Sequence, residues 1–179
     1  MNEVQPTRAT GRWAVGLGVV LFASALLAVG LWLLRASPPT QPEAESADFL
    51  LPSLDGEQLG PSSYAGKVVV IDFWATWCAP CRVQAEILEQ IHSEYSGKGV
   101  EFLAVSLGED ESTVRSFVEK EPFAYPVLFD PEDRVSAQLG IYALPTVMIV
   151  DRDGAVAYRH AGISSEATVR TLLSQAGAG

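Results

Sequence analysis

Only two cysteines occur in these 179 residues, with two histidines and two methionines. Two thiols cannot staple a small domain into a disulfide framework. A structural zinc site takes four N or S ligands, and Cys78, Cys81, His92 and His160 are the only cysteines and histidines available. Their spacing matches neither a zinc finger nor a ribbon, and both histidines are expected at the surface. Basic residues are also scarce, twelve against twenty-two acids, for a net charge of −10. The deficit is uneven: residues 1–35 carry +2 and residues 36–179 carry −12. So acidic a body is unsuited to nucleic acid, whose binding rests on Lys and Arg against phosphate. The chain has no internal repeat, and its one long segment without charge is residues 13–34.

That segment reads WAVGLGVVLFASALLAVGLWLL. At 1.5 Å per residue a helix of this length crosses a hydrocarbon core of about 30 Å. Trp13 and Trp32 fall where interfacial aromatics belong. Arg8 and Arg12 precede it, and acids follow from Glu43. The positive-inside bias puts residues 1–12 in the cytoplasm and the rest outside. The apolar region exceeds the roughly 7–15 residues of a cleaved signal peptide, so an uncleaved anchor is expected. It contains no cysteine to carry a lipid. Residues 35–47, rich in Pro, Ser and Glu, read as a semi-rigid linker. A domain is expected over 48–176.

Within it, FLLPSLDGEQL reads as a hairpin turning at Asp55–Gly56. KVVVIDFWA (67–75) and VEFLAVSL (100–107) read as strands buried on both faces. Residues 80–95 carry Gln84, Leu88, Ile91 and Tyr95 on one helical face. Further helices are expected over 110–121, over 131–141 opened by Pro131, and over 164–177. YPVLFD reads as a short strand, and TVMIVD with AVAYRH as a hairpin. Alternating strands and helices followed by a hairpin imply an α/β domain, with a central mixed sheet and helices on both faces.

Cys78 and Cys81 fall where a strand hands over to a helix. A thiol just before a helix meets unpaired N–H groups and the positive end of the helix dipole. Both favour thiolate, the reactive form. Pro80 suits the first helical turn, where its missing N–H costs nothing. Cys81 follows about one turn later, within reach of a mixed disulfide on Cys78. A four-residue loop closed by a disulfide adds little stability. C-x-x-C after a strand in an αβ pattern is therefore a redox signal.

The segment VVVIDFWATWCAPCR resembles the active-site segment of the thioredoxin superfamily. FLLPSLDGEQL and DPEDRVSAQLGIYALPTVMIVDRDG, with the anchor, resemble more narrowly the membrane-anchored TlpA/ResA/CcmG (DsbE) type. The resemblance implies a thioredoxin fold with a strand–helix insertion over residues 110–140 and a single transmembrane anchor before it. It implies thiol–disulfide exchange on the outer face of an inner membrane, with no cofactor beyond the dithiol. Cys78 corresponds to the attacking thiol and Cys81 to the resolving one. Trp77, Pro80, Leu144 and Pro145 correspond to the substrate-binding surface, with Pro145 as the family's cis-proline. Implied partners are protein disulfides, such as apocytochrome c haem-site cysteines or copper-assembly thiols, and a membrane thiol–disulfide transporter as electron donor.

Two positions depart from the anchored type, which usually has Glu at position 84 and Pro at 86. Here they are Gln84 and Glu86. Asp72, six residues before Cys78, matches instead the buried aspartate of ordinary thioredoxins. Asp72 is thus the expected acid–base group, and Gln84 a neighbour able to bond to a thiol or to Asp72. Two other readings stay open: a Cu(I) chaperone using the same thiols, and a thiol peroxide reductase. Against the first, Met148 is the only methionine besides Met1.

Overall fold

A computed structural model describes residues 46–177. The expected cytoplasmic N-terminus, the anchor over 13–34 and the linker up to residue 45 lie outside the described residues. Among the described residues no helix is long and apolar enough to cross a membrane.

β1 (Leu51–Pro52) and β2 (Gln58–Leu59) form the expected small hairpin, with Leu51 opposite Leu59. Gly56 takes φ +85° in its turn, a conformation open to glycine. Packing begins slightly ahead of residue 48: Ala47 is buried, and Ser46 pairs with Ala155. β3 (Val68–Trp74) then leads into α1 (Ala79–Tyr95), followed by β4 (Val100–Leu107) and α2 (Glu111–Val118). β5 (Val127–Asp130), α3 (Arg134–Gln138), β6 (Thr146–Val150), β7 (Val156–Ala161) and α4 (Glu166–Gln175) complete the domain.

The five longer strands form one sheet in the order β5-β4-β3-β6-β7. β3, β4 and β5 run parallel, while β6 is antiparallel to both β3 and β7. β3 is central, and all seven of its residues are buried. Its β-branched, apolar run suits a strand covered on both faces. The pleat divides its side chains by parity. Val68, Val70 and Trp74 join a core with Leu88 and Ile91 of α1 and Val169 and Leu173 of α4. Val69, Ile71 and Phe73 join a second core with Val135 of α3, Met148 and the N-terminal Phe49 and Leu51. Helices therefore cover both faces, and the architecture is a thioredoxin fold. The segment expected as an insertion supplies α2, β5 and α3, and sets β5 on the outer edge of β4.

The helix expected over 131–141 starts later than expected. α3 begins at Arg134, not at Pro131, and Pro131–Glu132 belong to a turn. The reason is Asp130. Its buried carboxylate accepts the N–H groups of Arg134, Val135 and Ser136 at 3.0, 2.9 and 2.9 Å. A cap from the end of the preceding strand fixes where the helix starts, and Asp133 turns through φ +53° to make room.

Candidate active site

β3 ends at Trp74, and after three intervening residues Cys78 stands as the N-cap of α1. Ala79 and Pro80 occupy the first two helical positions, so Cys81 is the third and its N–H donates to the Cys78 carbonyl at 3.1 Å. The two sulfurs are joined as a disulfide, with Cα atoms 5.4 Å apart. In this oxidised form Cys78 is 4% exposed and Cys81 2%. The two sulfurs are thus buried alike in this form.

Asp72 lies in the middle of β3, between Ala104 of β4 and Val147 of β6. It has the same parity as Val70 and Trp74, so its side chain enters the layer under α1. It is 1% exposed, and neither carboxylate oxygen has a hydrogen-bond partner. Burial pushes its pKa up to about 8. Tyr125 lies in the same core, with its hydroxyl buried and unpartnered. Its pKa is pushed well up, first by burial and then by the charges of Asp72 and Glu89. No spacing announces this neighbour, because Tyr125 is 53 positions away along the chain.

Gln84 is fully buried, as its place on the helical face predicts. Its partner is not the expected one. Oε1 accepts the backbone N–H of Ser164, in the β7–α4 loop, at 2.6 Å, and no bond to a thiol or to Asp72 forms. An acceptor facing that loop satisfies a buried backbone donor, which would otherwise cost more than a free side-chain amide gains. Nε2 is left without a partner.

The Leu144–Pro145 bond is cis. Trp77, 73% exposed, and Tyr142, 86% exposed, stand over a groove of about 490 Å³ that Leu107, Ser136 and Leu144 also line. Of the expected substrate surface, Trp77 and Leu144 line this groove. Pro145 is buried and Pro80 is exposed, and neither lines it. Tyr142 was missed, although an aromatic two residues before Leu144-Pro145 was its available signal. Cys81 borders a second cleft, of about 230 Å³, with Trp74, Phe117 and Phe123 at its walls and Glu86 and Glu89 along it.

A further residue reaches the loop ahead of Cys78. The Glu109 carboxylate, at the β4–α2 junction, accepts the Thr76 N–H at 2.9 Å, the Thr76 hydroxyl at 2.5 Å and the Ser106 hydroxyl at 2.7 Å. Its partners are distant or nonperiodic in sequence, so no spacing announces it.

The histidines divide. His160 is exposed, whereas His92 is half-buried with its ring against Phe102 and Tyr125, centroids 5.2 and 5.5 Å apart. Among the described residues no three His, Cys, Asp or Glu side chains gather as a metal site.

The model of the Redoxin family matches residues 40–174. The chain belongs to the Redoxin family. Among its relatives in the family, thiol-disulfide oxidoreductase ResA of Geobacillus thermodenitrificans is 36% identical over 109 residues, 61% of this chain and 63% of that one. ResA of Halalkalibacterium halodurans is 32% identical over 129 residues, 72% of this chain and 73% of that one. The first match thus spans less than two thirds of the relative's length. Among solved structures, a protein assigned as thiol:disulfide interchange protein DsbE of Chlorobium tepidum superposes with a TM-score of 0.70 at 29% identity, covering 76% of this chain and 99% of that one. The exposed lipoprotein thioredoxin Etrx1 of Streptococcus pneumoniae gives 0.65 at 28% identity, covering 72% and 98%. These resemble this Redoxin-family chain in the TlpA/ResA/CcmG manner that its motifs imply.

Proposed function

We propose that the chain is a thiol–disulfide oxidoreductase working as a reductase of protein disulfides, held by residues 13–34 on the outer face of an inner membrane. The observation that carries this reading is the joining of the chain's only two cysteines at the N-cap and third position of α1. The names of the ResA relatives support it.

The cycle starts from the dithiol. The Cys78 thiolate attacks one sulfur of a substrate disulfide, forming a Cys78–substrate disulfide and releasing the other substrate sulfur as thiolate, which takes a proton. Cys81 gives its proton to the Asp72 carboxylate and attacks the Cys78 sulfur. The Cys78–Cys81 disulfide forms, and the second substrate sulfur leaves. Two electrons have passed from the chain to the substrate, and the disulfide described here is the product state. A group with a pKa of about 8 exchanges protons readily near neutral pH. The pair itself carries the electrons, so no cofactor enters the cycle. A membrane thiol–disulfide transporter would return the chain to the dithiol, and the substrates would be cysteine pairs awaiting haem or copper.

The copper-chaperone reading gains nothing from Met148. Its side chain packs in the core on the face of the sheet opposite the cysteines, so it adds no soft ligand to them.

The full chain, supplied with a dithiol reductant, is expected to accelerate insulin precipitation well above reductant alone. A chain that leaves insulin reduction unchanged, but holds Cu(I) in a parallel titration, would overturn the reading in favour of the chaperone; rapid consumption of peroxide in its place would favour the peroxide reductase. For the topology, alkaline phosphatase fused after the C-terminus should be active. An inactive fusion beside an active cytoplasmic reporter at the same point would reverse the orientation.

A further inference from the structure

We propose that Glu109 is a positioning residue for the Cys78 thiol, acting through Thr76. The inference rests on the reading of Cys78 as the attacking thiol and adds a residue to that machinery. Between the end of β3 and Cys78, the N-cap of α1, lie only Ala75, Thr76 and Trp77. This short segment sets where Trp77 and Cys78 stand relative to Cys81 and the groove. Across it, the Cys78 N–H donates to the Ala75 carbonyl at 3.0 Å. Thr76, in its middle, gives both its backbone N–H and its hydroxyl to the two oxygens of Glu109.

Glu109 is itself fixed to the sheet. Ser106, whose hydroxyl holds the carboxylate, stands beside Trp74 in the β3–β4 register. The next loop residue back, Gly108, donates its N–H to the Asp130 carbonyl at 3.0 Å. One carboxylate thus ties the loop ahead of Cys78 to β4, with three donors placed on two oxygens. Bonds to a carboxylate are roughly twice as strong as neutral ones, and the two-point grip on Thr76 fixes orientation as well as distance. Glu109 touches neither sulfur, so its influence on the chemistry passes through the backbone from residue 76 to residue 78. Small displacements of a reacting atom suffice to slow a reaction strongly.

Loosening this tie should lower the time the two thiols spend at bonding distance, and so favour the dithiol. In full-length chain equilibrated with reduced and oxidised glutathione, Glu109→Ala is expected to shift the dithiol–disulfide equilibrium toward dithiol by about fivefold to tenfold. It should also slow reduction of a mixed-disulfide peptide by about tenfold. Glu109→Gln keeps one oxygen for the Thr76 N–H and the Ser106 hydroxyl, and its amide can donate to Thr76 Oγ1, so it should restore most of both quantities. Thr76→Val removes only the hydroxyl arm and should fall between wild type and Glu109→Ala. A folded Glu109→Ala chain with wild-type equilibrium and rate would overturn the proposal. So would a Glu109→Gln chain no better than Glu109→Ala. If Glu109→Ala does not fold, Thr76→Val decides: a wild-type equilibrium there would overturn it. The glutathione equilibrium separates this from the wider reading. A wild type that exchanges with glutathione but reduces no protein disulfide removes the proposed function, while the shift in Glu109→Ala would still establish the positioning role.

Discussion

Cys78→Ala is expected to abolish disulfide reduction by the full chain, lowering the second-order rate by about four orders of magnitude or more. The attacking sulfur is lost, and Cys81 cannot replace it. Cys81 sits at the third position of α1, inside the helix from the Cys78 N-cap, where it is placed to reach a disulfide already attached to residue 78. Cys81→Ala should behave differently. Its Cys78 can still attack once, and the reaction then halts at the Cys78–substrate disulfide. Mass spectrometry of the acid-quenched mixture should show a one-to-one adduct for Cys81→Ala and none for Cys78→Ala. Both variants should stay folded, because the lost cross-link spans a sequence separation of only three and constrains little of the unfolded chain. An adduct on Cys81 in the Cys78→Ala chain would exchange the two roles.

Asp72→Asn is expected to slow reduction by roughly 10–100 fold near neutral pH, and to stabilise the fold. The rate falls because Asn cannot take the Cys81 proton. Stability follows from linkage. Asp72 has a pKa of about 8 in the folded chain against 3.8 for an unperturbed carboxyl. Below the lower value both states hold the proton, and ionisation adds nothing to the difference between them. As pH rises toward the upper value, the unfolded chain releases the proton while the folded chain must keep it, so stability falls across that window and then levels. The gain from Asp72→Asn should therefore grow across the same interval and reach a plateau above it. Four units at about 1.4 kcal/mol each set a ceiling of about 6 kcal/mol. Denaturant unfolding at about pH 5 and about pH 9 measures the trend. The rate of mixed-disulfide peptide reduction over the same range measures the catalytic part, with Gln84→Glu as a comparison that should alter the rate less and mainly move its pH profile. A wild-type rate for Asp72→Asn at every pH would leave Asp72 without an acid–base role.

The strands of the central sheet and α1 were legible because their signals are local: a β-branched run in β3, a helical stripe in α1, a turn at Asp55–Gly56. Asp72 and the two cysteines were legible for the same reason, since a carboxylate inside an apolar run and a C-x-x-C at a strand–helix junction each carry their chemistry in sequence. The start of α3 was not, because Asp130 caps it from the end of the preceding strand and displaces Pro131 into a turn. Nor was the partner of Gln84: its helical phase told that it is buried, while the Ser164 N–H that it meets lies 80 positions away. Glu109 and Tyr125 reach the site through tertiary contact alone, and one sequence carries no record of such pairs, whereas Tyr142 stood two residues before Leu144-Pro145 and was open to reading.

In the proposed cycle electrons pass from the Cys78–Cys81 dithiol to a protein disulfide. The most direct measurement is a stoichiometry. Fully reduced full-length chain is mixed with an equimolar disulfide-bonded protein, quenched in acid at intervals, alkylated and mapped by mass. Two thiols should disappear from the chain for every two that appear on the substrate, with the loss located at a Cys78–Cys81 disulfide. A chain whose two thiols stay alkylatable while the substrate remains oxidised would contradict it.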